Sequence, residues 1–197
     1  MRKKSGFTIV ELLVVIVVIA ILATITVTAY GGVQQRAHNA ATLSAANTWV
    51  NVISIYYTTS GQLNLTDLPA NRYGVCLGNP SDYTATSHFN HSIGDCREGF
   101  YTSQQLATAL NSVSTVHMTP YELNAGGSDY RRGVQFSIAE DGDGLITGHV
   151  YVIFDLAGKN QACTLAGNAV AQPHSTDSVT ECTVDMTALL GAEVITF

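Results

Sequence analysis

One carboxylate stands at the edge of a long apolar run. Glu11 is followed by 22 residues without a charge, Leu12 to Val33, reading LLVVIVVIAILATITVTAYGGV. That is longer than the roughly 20 residues a helix needs to cross the hydrocarbon core of a bilayer. A charge inside such a segment costs at least ~2.5–3.5 kcal/mol, so Glu11 requires a partner. Three basic residues, Arg2, Lys3 and Lys4, precede the run. They hold that end of a membrane helix in the cytoplasm. A small-residue step, Gly6-Phe7, lies before the run, whereas a secretory signal is cut after its apolar core. Cutting at Gly6-Phe7 would leave the apolar segment on the mature chain. It would also create an α-amino group on Phe7, cationic at neutral pH because its reference pKa is about 8. Glu11 lies one helical turn from that amine, and pairing the two removes an unpaired charge from apolar surroundings.

Elsewhere the chemistry-bearing residues lack the spacing a site needs. Asp141-Gly-Asp143-Gly offers alternating acids, but position 145 is Leu and no Glu follows in register. A calcium loop requires both, so a hairpin turn is expected there. His88-x-x-His91 sits in a polar stretch and no metal site is expected. Asn64-Leu-Thr66 and Asn90-His-Ser92 fit the N-glycosylation sequon. Arg131-Arg132 is read as a solvated basic turn. Walker A, G-x-S-x-G, H-E-x-x-H and dinucleotide fingerprints are all missing from the sequence. The expectation is therefore neither an enzyme nor a cofactor protein.

The stretch KKSGFTIVELLVVIVVIAILA resembles the N-terminus of type IV prepilins and the related pseudopilins. The shared pattern is a short basic leader, a glycine, a phenylalanine, then T-x-x-E-L and an apolar helix. The resemblance covers about 30 residues. It implies cleavage between Gly6 and Phe7 by a prepilin peptidase and N-methylation of Phe7. It implies that Glu11, fifth in the mature chain, is the assembly glutamate, meeting its own Phe7 amine or that of a neighbouring subunit. Partners follow from it: other pilin subunits in a polymer, the inner-membrane assembly platform and its ATPases. The protein would sit as a single-pass inner-membrane protein and then in an extracellular filament serving adhesion, twitching motility or DNA uptake. The alternatives are a type II secretion pseudopilin and a minor pilin acting as a tip adhesin or ligand-binding module.

The domain plan is a leader at 1–6, an apolar half-helix at 7–33, and a head at 34–197 that includes an amphipathic half-helix. Charged residues are only 12% of the 197. Net charge is −6, and removing the leader takes three of the nine basic residues, leaving 6 against 15 acidic and a balance of −9. Direct nucleic-acid binding by the single subunit is not expected, because phosphate contacts need Lys and Arg. The four cysteines, Cys76, Cys96, Cys163 and Cys182, include no Cys-x-x-Cys, which argues against zinc. Three pairings are possible. The two local ones, Cys76–Cys96 and Cys163–Cys182, are expected, and the resemblance supports the second, since pilins commonly staple a C-terminal loop.

These features need a scaffold. Residues 7 to about 58 read as one helix of roughly 78 Å at 1.5 Å per residue. In its second half Leu43, Ala46, Val50, Ile53 and Tyr57 recur at spacings of 3 and 4, an apolar stripe with Trp49 and Tyr56 beside it. Gly31-Gly32 is the candidate kink or melting point, since each glycine costs ~1 kcal/mol in a helix. Residues 59–101 read as a long connection with short strand-like pieces such as Tyr73-Gly74-Val75-Cys76, and 103–113 as a short helix capped by Thr102 or Ser103. Val116–Leu123, Gly133–Glu140 and Gly148–Leu156 read as strands, with a possible strand near Glu193–Phe197 and an irregular chain from Gly158 onward. The expected class is α+β: a type IV pilin-like fold, with a long N-terminal helix packed on a small antiparallel sheet and stapled by disulfides.

Overall fold

A computed structural model describes residues 6–60, 63–64, 74–89, 95–97, 100–116, 118, 120–140, 146–165, 171–175, 178–187 and 195–196. The chain divides into two compact units, Met1–Ala37 and His38–Phe197. Helix α1 covers Ile9–Ser60, close to the expected span. In the first unit its apolar side chains, from Ile9 to Ile25 and again at Val33, are exposed. The stretch is long and apolar enough to cross a membrane by length and composition.

The second unit is built on a six-stranded sheet. In chain order the described strands are β1 (Leu63–Asn64), β2 (Gly74–Leu77), β3 (Tyr101–Thr102), β4 (Glu122–Gly126), β5 (Asp129–Arg132), β6 (Val134–Glu140), β7 (Ile146–Ala157), β8 (Ala171–Ser175), β9 (Val179–Asp185) and β10 (Ile195–Thr196). The sheet order is β3-β2-β6-β7-β9-β8. All its pairings are antiparallel except β2 with β3. Two-stranded pairs β4–β5 and β1–β10 complete the unit. Helix α2 (Gln104–Asn111) starts at Ser103, whose Oγ accepts from the Leu106 N–H at 3.0 Å, a direct N-cap.

Period-2 alternation gives the sheet two unlike faces. On β7, Val150, Val152, Phe154 and Leu156 turn to one side, opposite Val134 and Phe136 of β6 and Cys182 and Val184 of β9. Ala46, Trp49, Val50 and Ile53 of α1 pack into that face and are buried, while Leu43 and Tyr57 are half-buried at its edge. Burying each large side chain contributes ~1.5–3 kcal/mol, so this layer fixes the head. Val52 and Ala45 join it, which widens the expected stripe.

Two expectations change. The strand expected at Val116–Leu123 begins only at Glu122, because Val116 and Met118 pack into the core from a connecting segment instead. The chain after Gly158 is not irregular: β8 and β9 form the far side of the main sheet. Within the connection at 59–101, the strand-like piece at Tyr73–Cys76 corresponds to β2, which pairs with β6 from Gly74↔Ser137 to Leu77↔Val134. The proposed turn acids Asp141 and Asp143, the sequon at Asn90, and His91 lie outside the described residues.

Candidate processing and assembly segment

Thr8 and Glu11 open helix α1 together. The Thr8 N–H and its Oγ1–H both donate to Glu11 Oε2, at 2.8 and 2.7 Å. The Glu11 N–H donates back to Thr8 Oγ1 at 3.2 Å. The first helical backbone bond runs from Leu12 N–H to Thr8 O. This is a capping box, with Thr8 at the N-cap and Glu11 three residues on. It satisfies two donors that a helix start leaves orphaned, and it gives the Glu11 carboxylate two hydrogen bonds without any second chain. The signal was in the sequence as T-x-x-E, but Thr8 was not singled out there. Gly6 and Phe7 lie immediately before the box, and Phe7 is 80% exposed.

The hydroxyls of the apolar half are also satisfied locally. Thr24 Oγ1 donates to Ala20 O at 2.8 Å and Thr26 Oγ1 to Ala23 O at 2.9 Å. Such back-bonding hides polar groups from a hydrocarbon environment. Gly31 and Gly32 lie within the continuous span of α1, exposed, with nothing within 4 Å of where a Cβ would sit.

The family description that matches this chain is the prokaryotic N-terminal methylation motif, over residues 1–27. The chain carries a type IV prepilin-like signal. That signal supports a type IV pilin-like or pseudopilin protein, and with the apolar start of α1 it fits membrane anchoring before assembly. No curated protein and no solved structure matches the chain.

In the head, disulfides join Cys76 to Cys96 and Cys163 to Cys182. The first lies with Tyr83 and Phe100 on the sheet face away from α1; Cys182 lies in the core beneath the helix. The arginine pair is not a solvated turn. Arg131 and Arg132 are 7% and 4% exposed. Arg132 donates through Nε and Nη2 to Asp95 O, at 2.9 and 2.7 Å, and through Nη1 to Thr84 O at 2.6 Å. Its guanidinium lies over the Phe89 ring at 4.3 Å. Arg131 pairs with Asp129, Asp155 and Glu181. No local sequence pattern marks this burial, since most of these partners lie 24 to 50 residues away.

His88 is held by its Nδ1 against Glu122 and its ring stacks on Tyr130 at 3.6 Å. Burial raises and the Thr86 and His88 hydrogen bonds lower the Glu122 pKa; the hydrogen bonds win, and it is depressed. No group of three or more metal-ligating side chains occurs among the described residues. A cleft of about 450 Å³ runs between α1 and the 116–121 connection, lined by His38, Thr42, Thr48, Met118 and Tyr121 among others, without a carboxylate.

Proposed function

We propose that this protein is the structural subunit of a type IV pilus, made as a prepilin and polymerised through its N-terminal helix. The observation that carries the reading is the methylation motif continuing into a helix whose apolar residues are exposed. Such a surface has no stable place in water, but it suits a bilayer and then a bundle of identical helices. In this reading a prepilin peptidase cuts between Gly6 and Phe7, and the new amine on Phe7 is methylated. Residues 7–33 span the inner membrane before assembly and line the filament core after it, with residues 34–197 outside. Glu11 leaves the Thr8 capping box, or shares it, to meet a Phe7 amine and set subunit register. Gly31-Gly32 is the segment that opens when the helix is drawn from the membrane by the assembly platform and its ATPases. The filament then serves adhesion, twitching motility or DNA uptake.

Mass spectrometry of filaments sheared from cells tests this. An abundant chain beginning at N-methyl-Phe7 is the expected result. An intact Met1 terminus confined to membranes would overturn the prepilin reading. A chain processed at Phe7 but missing from surface filaments would make it a secretion pseudopilin, which shares the same N-terminal pattern.

A further inference from the structure

The sheet face away from α1 carries an unbalanced ionic cluster. Asp155 of β7 stands directly opposite Glu181 of β9 in the pairing register. Arg131 of β5 reaches over both: its Nη1 donates to Asp155 Oδ1 at 3.1 Å and also to Glu181 Oε2. Its Nε and Nη2 donate to Asp129 Oδ2 at 3.0 and 2.7 Å. Arg97, beside Cys96, donates to Glu181 Oε2 at 3.1 Å. Three carboxylates therefore share two guanidinium groups. His174 of β8 stands opposite Glu181 in register, and β6 contributes the uncharged Gln135. The Asp155 side chain is 1% exposed, and its Oδ2 is buried without a hydrogen-bond partner. Gln135, diagonal to it across the β6–β7 pairing, is fully buried, and neither of its amide atoms is hydrogen-bonded.

The β4–β5 hairpin closes over this face. Arg131 is its ionic contact, Ser178 Oγ donates to Asn124 O at 2.6 Å, and the Arg132 N–H donates to Cys96 O at 2.9 Å. We propose that docking of this hairpin is proton-sensitive: a proton taken up by Asp155 balances the cluster and fastens the hairpin, and its loss loosens it. With Asp155 neutral, two acids face two arginines. With Asp155 ionised, the closed hairpin buries an extra negative charge with one oxygen unpaired, a costly arrangement. Opening returns the carboxyl to water.

The pKa agrees with this geometry. Burial, reinforced by Glu181 and opposed by Arg131 and Arg97, pushes the Asp155 carboxyl up to about 6. A raised carboxyl favours the closed state fully below the ordinary aspartate value near ~3.9, and that contribution is lost as pH rises through the closed-state value. The shift of about two pH units corresponds to roughly a hundredfold change in the hairpin opening equilibrium.

Hydrogen exchange of the amides in 122–132, on the full oxidised chain in detergent micelles at pH 4.5 to 7.5 and corrected for intrinsic rates, tests the proposal. Wild-type protection should fall by roughly 25-fold across that range, because an exposed carboxyl is already largely ionised at pH 4.5, whereas Asp155→Asn should hold its protection. The same pH dependence in Asp155→Asn would overturn the proposal. Should that variant fail to fold, Glu181→Gln and carboxyl NMR of Asp155 decide. Removing the opposed charge should lower the titration midpoint, and an unmoved midpoint, or ordinary titration of Asp155 in the wild type, overturns it.

Discussion

Replacing Arg132 should damage the head more than any other surface-segment substitution, although its sequence context looks like a turn. Arg132→Met keeps the aliphatic stem and removes the guanidinium. Three hydrogen bonds from a charged donor are lost, and the carbonyls of Asp95 and Thr84 lose those partners. A hydrogen bond to a charged group contributes ~1.5–3 kcal/mol, and an unsatisfied buried acceptor costs ~1–3 kcal/mol. The stacking on Phe89 adds about 1 kcal/mol. These terms overlap, because the same bonds appear as both gain and penalty. The net expectation is about 3–5 kcal/mol, the range for breaking a buried charged contact. At ~2–4 °C per kcal/mol for a domain of this size, the melting temperature falls by about 10 °C. Circular-dichroism melting of the full oxidised chain in detergent measures it. Amide exchange should place the loss first in 84–97, which Arg132 ties down. Arg132→Lys should recover less than half, because one ammonium cannot reproduce the planar fork. A fall below about 2 °C for Arg132→Met would refute the reasoning.

Gly133→Ala should cost about 2–4 kcal/mol in chemical denaturation. Gly133 has φ +75°, and a Cβ there would lie 2.6 Å from the buried Tyr83 hydroxyl, which donates to Leu77 O; neutrality would mean Tyr83 can move away freely. Thr8→Ala should weaken the start of α1 by ~1 kcal/mol, seen as faster amide exchange at residues 9–12 in micelles. Under the pilus reading, Glu11→Ala should leave the protein in membranes but abolish its recovery in the sheared fraction, and a normal filament yield would count against that role. Gly31→Ala with Gly32→Ala meets no steric obstacle and should stiffen the helix by ~1 kcal/mol each. If this segment must open during extraction, filament yield drops while membrane levels hold.

What was legible in the sequence is what is written locally. The apolar run, the Glu11 spacing, the stripe Ala46-Val50-Ile53 and the Ser103 cap each depend on residues a few positions apart. Strands β6 and β7 announce themselves through β-branched and aromatic alternation. Strand β9 does not. Its inward face reads Thr180, Cys182, Val184, and the Thr180 hydroxyl is buried only because it donates to Gly158 O at 2.7 Å and accepts from Gln161 N–H at 3.0 Å. Strand β8 carries Pro173, which demotes a strand in any sequence reading, and an edge position tolerates it.

The arginines expose the deeper limit. Outside the leader the chain has six Lys and Arg residues, and three of them, Arg97, Arg131 and Arg132, sit in the network that holds the hairpin and the Cys76–Cys96 loop against the sheet. A face that carries Gln135, Asp155 and Glu181 cannot be closed by apolar packing alone. Covering it requires donors long enough to reach two strands, and the guanidinium fork supplies them. In a sequence so poor in cations, two adjacent arginines between turn residues are therefore better read as a fastening for polar strands than as a solvated turn. The distinguishing sign is a buried acid within an otherwise apolar strand, here Asp155 in HVYVIFDL.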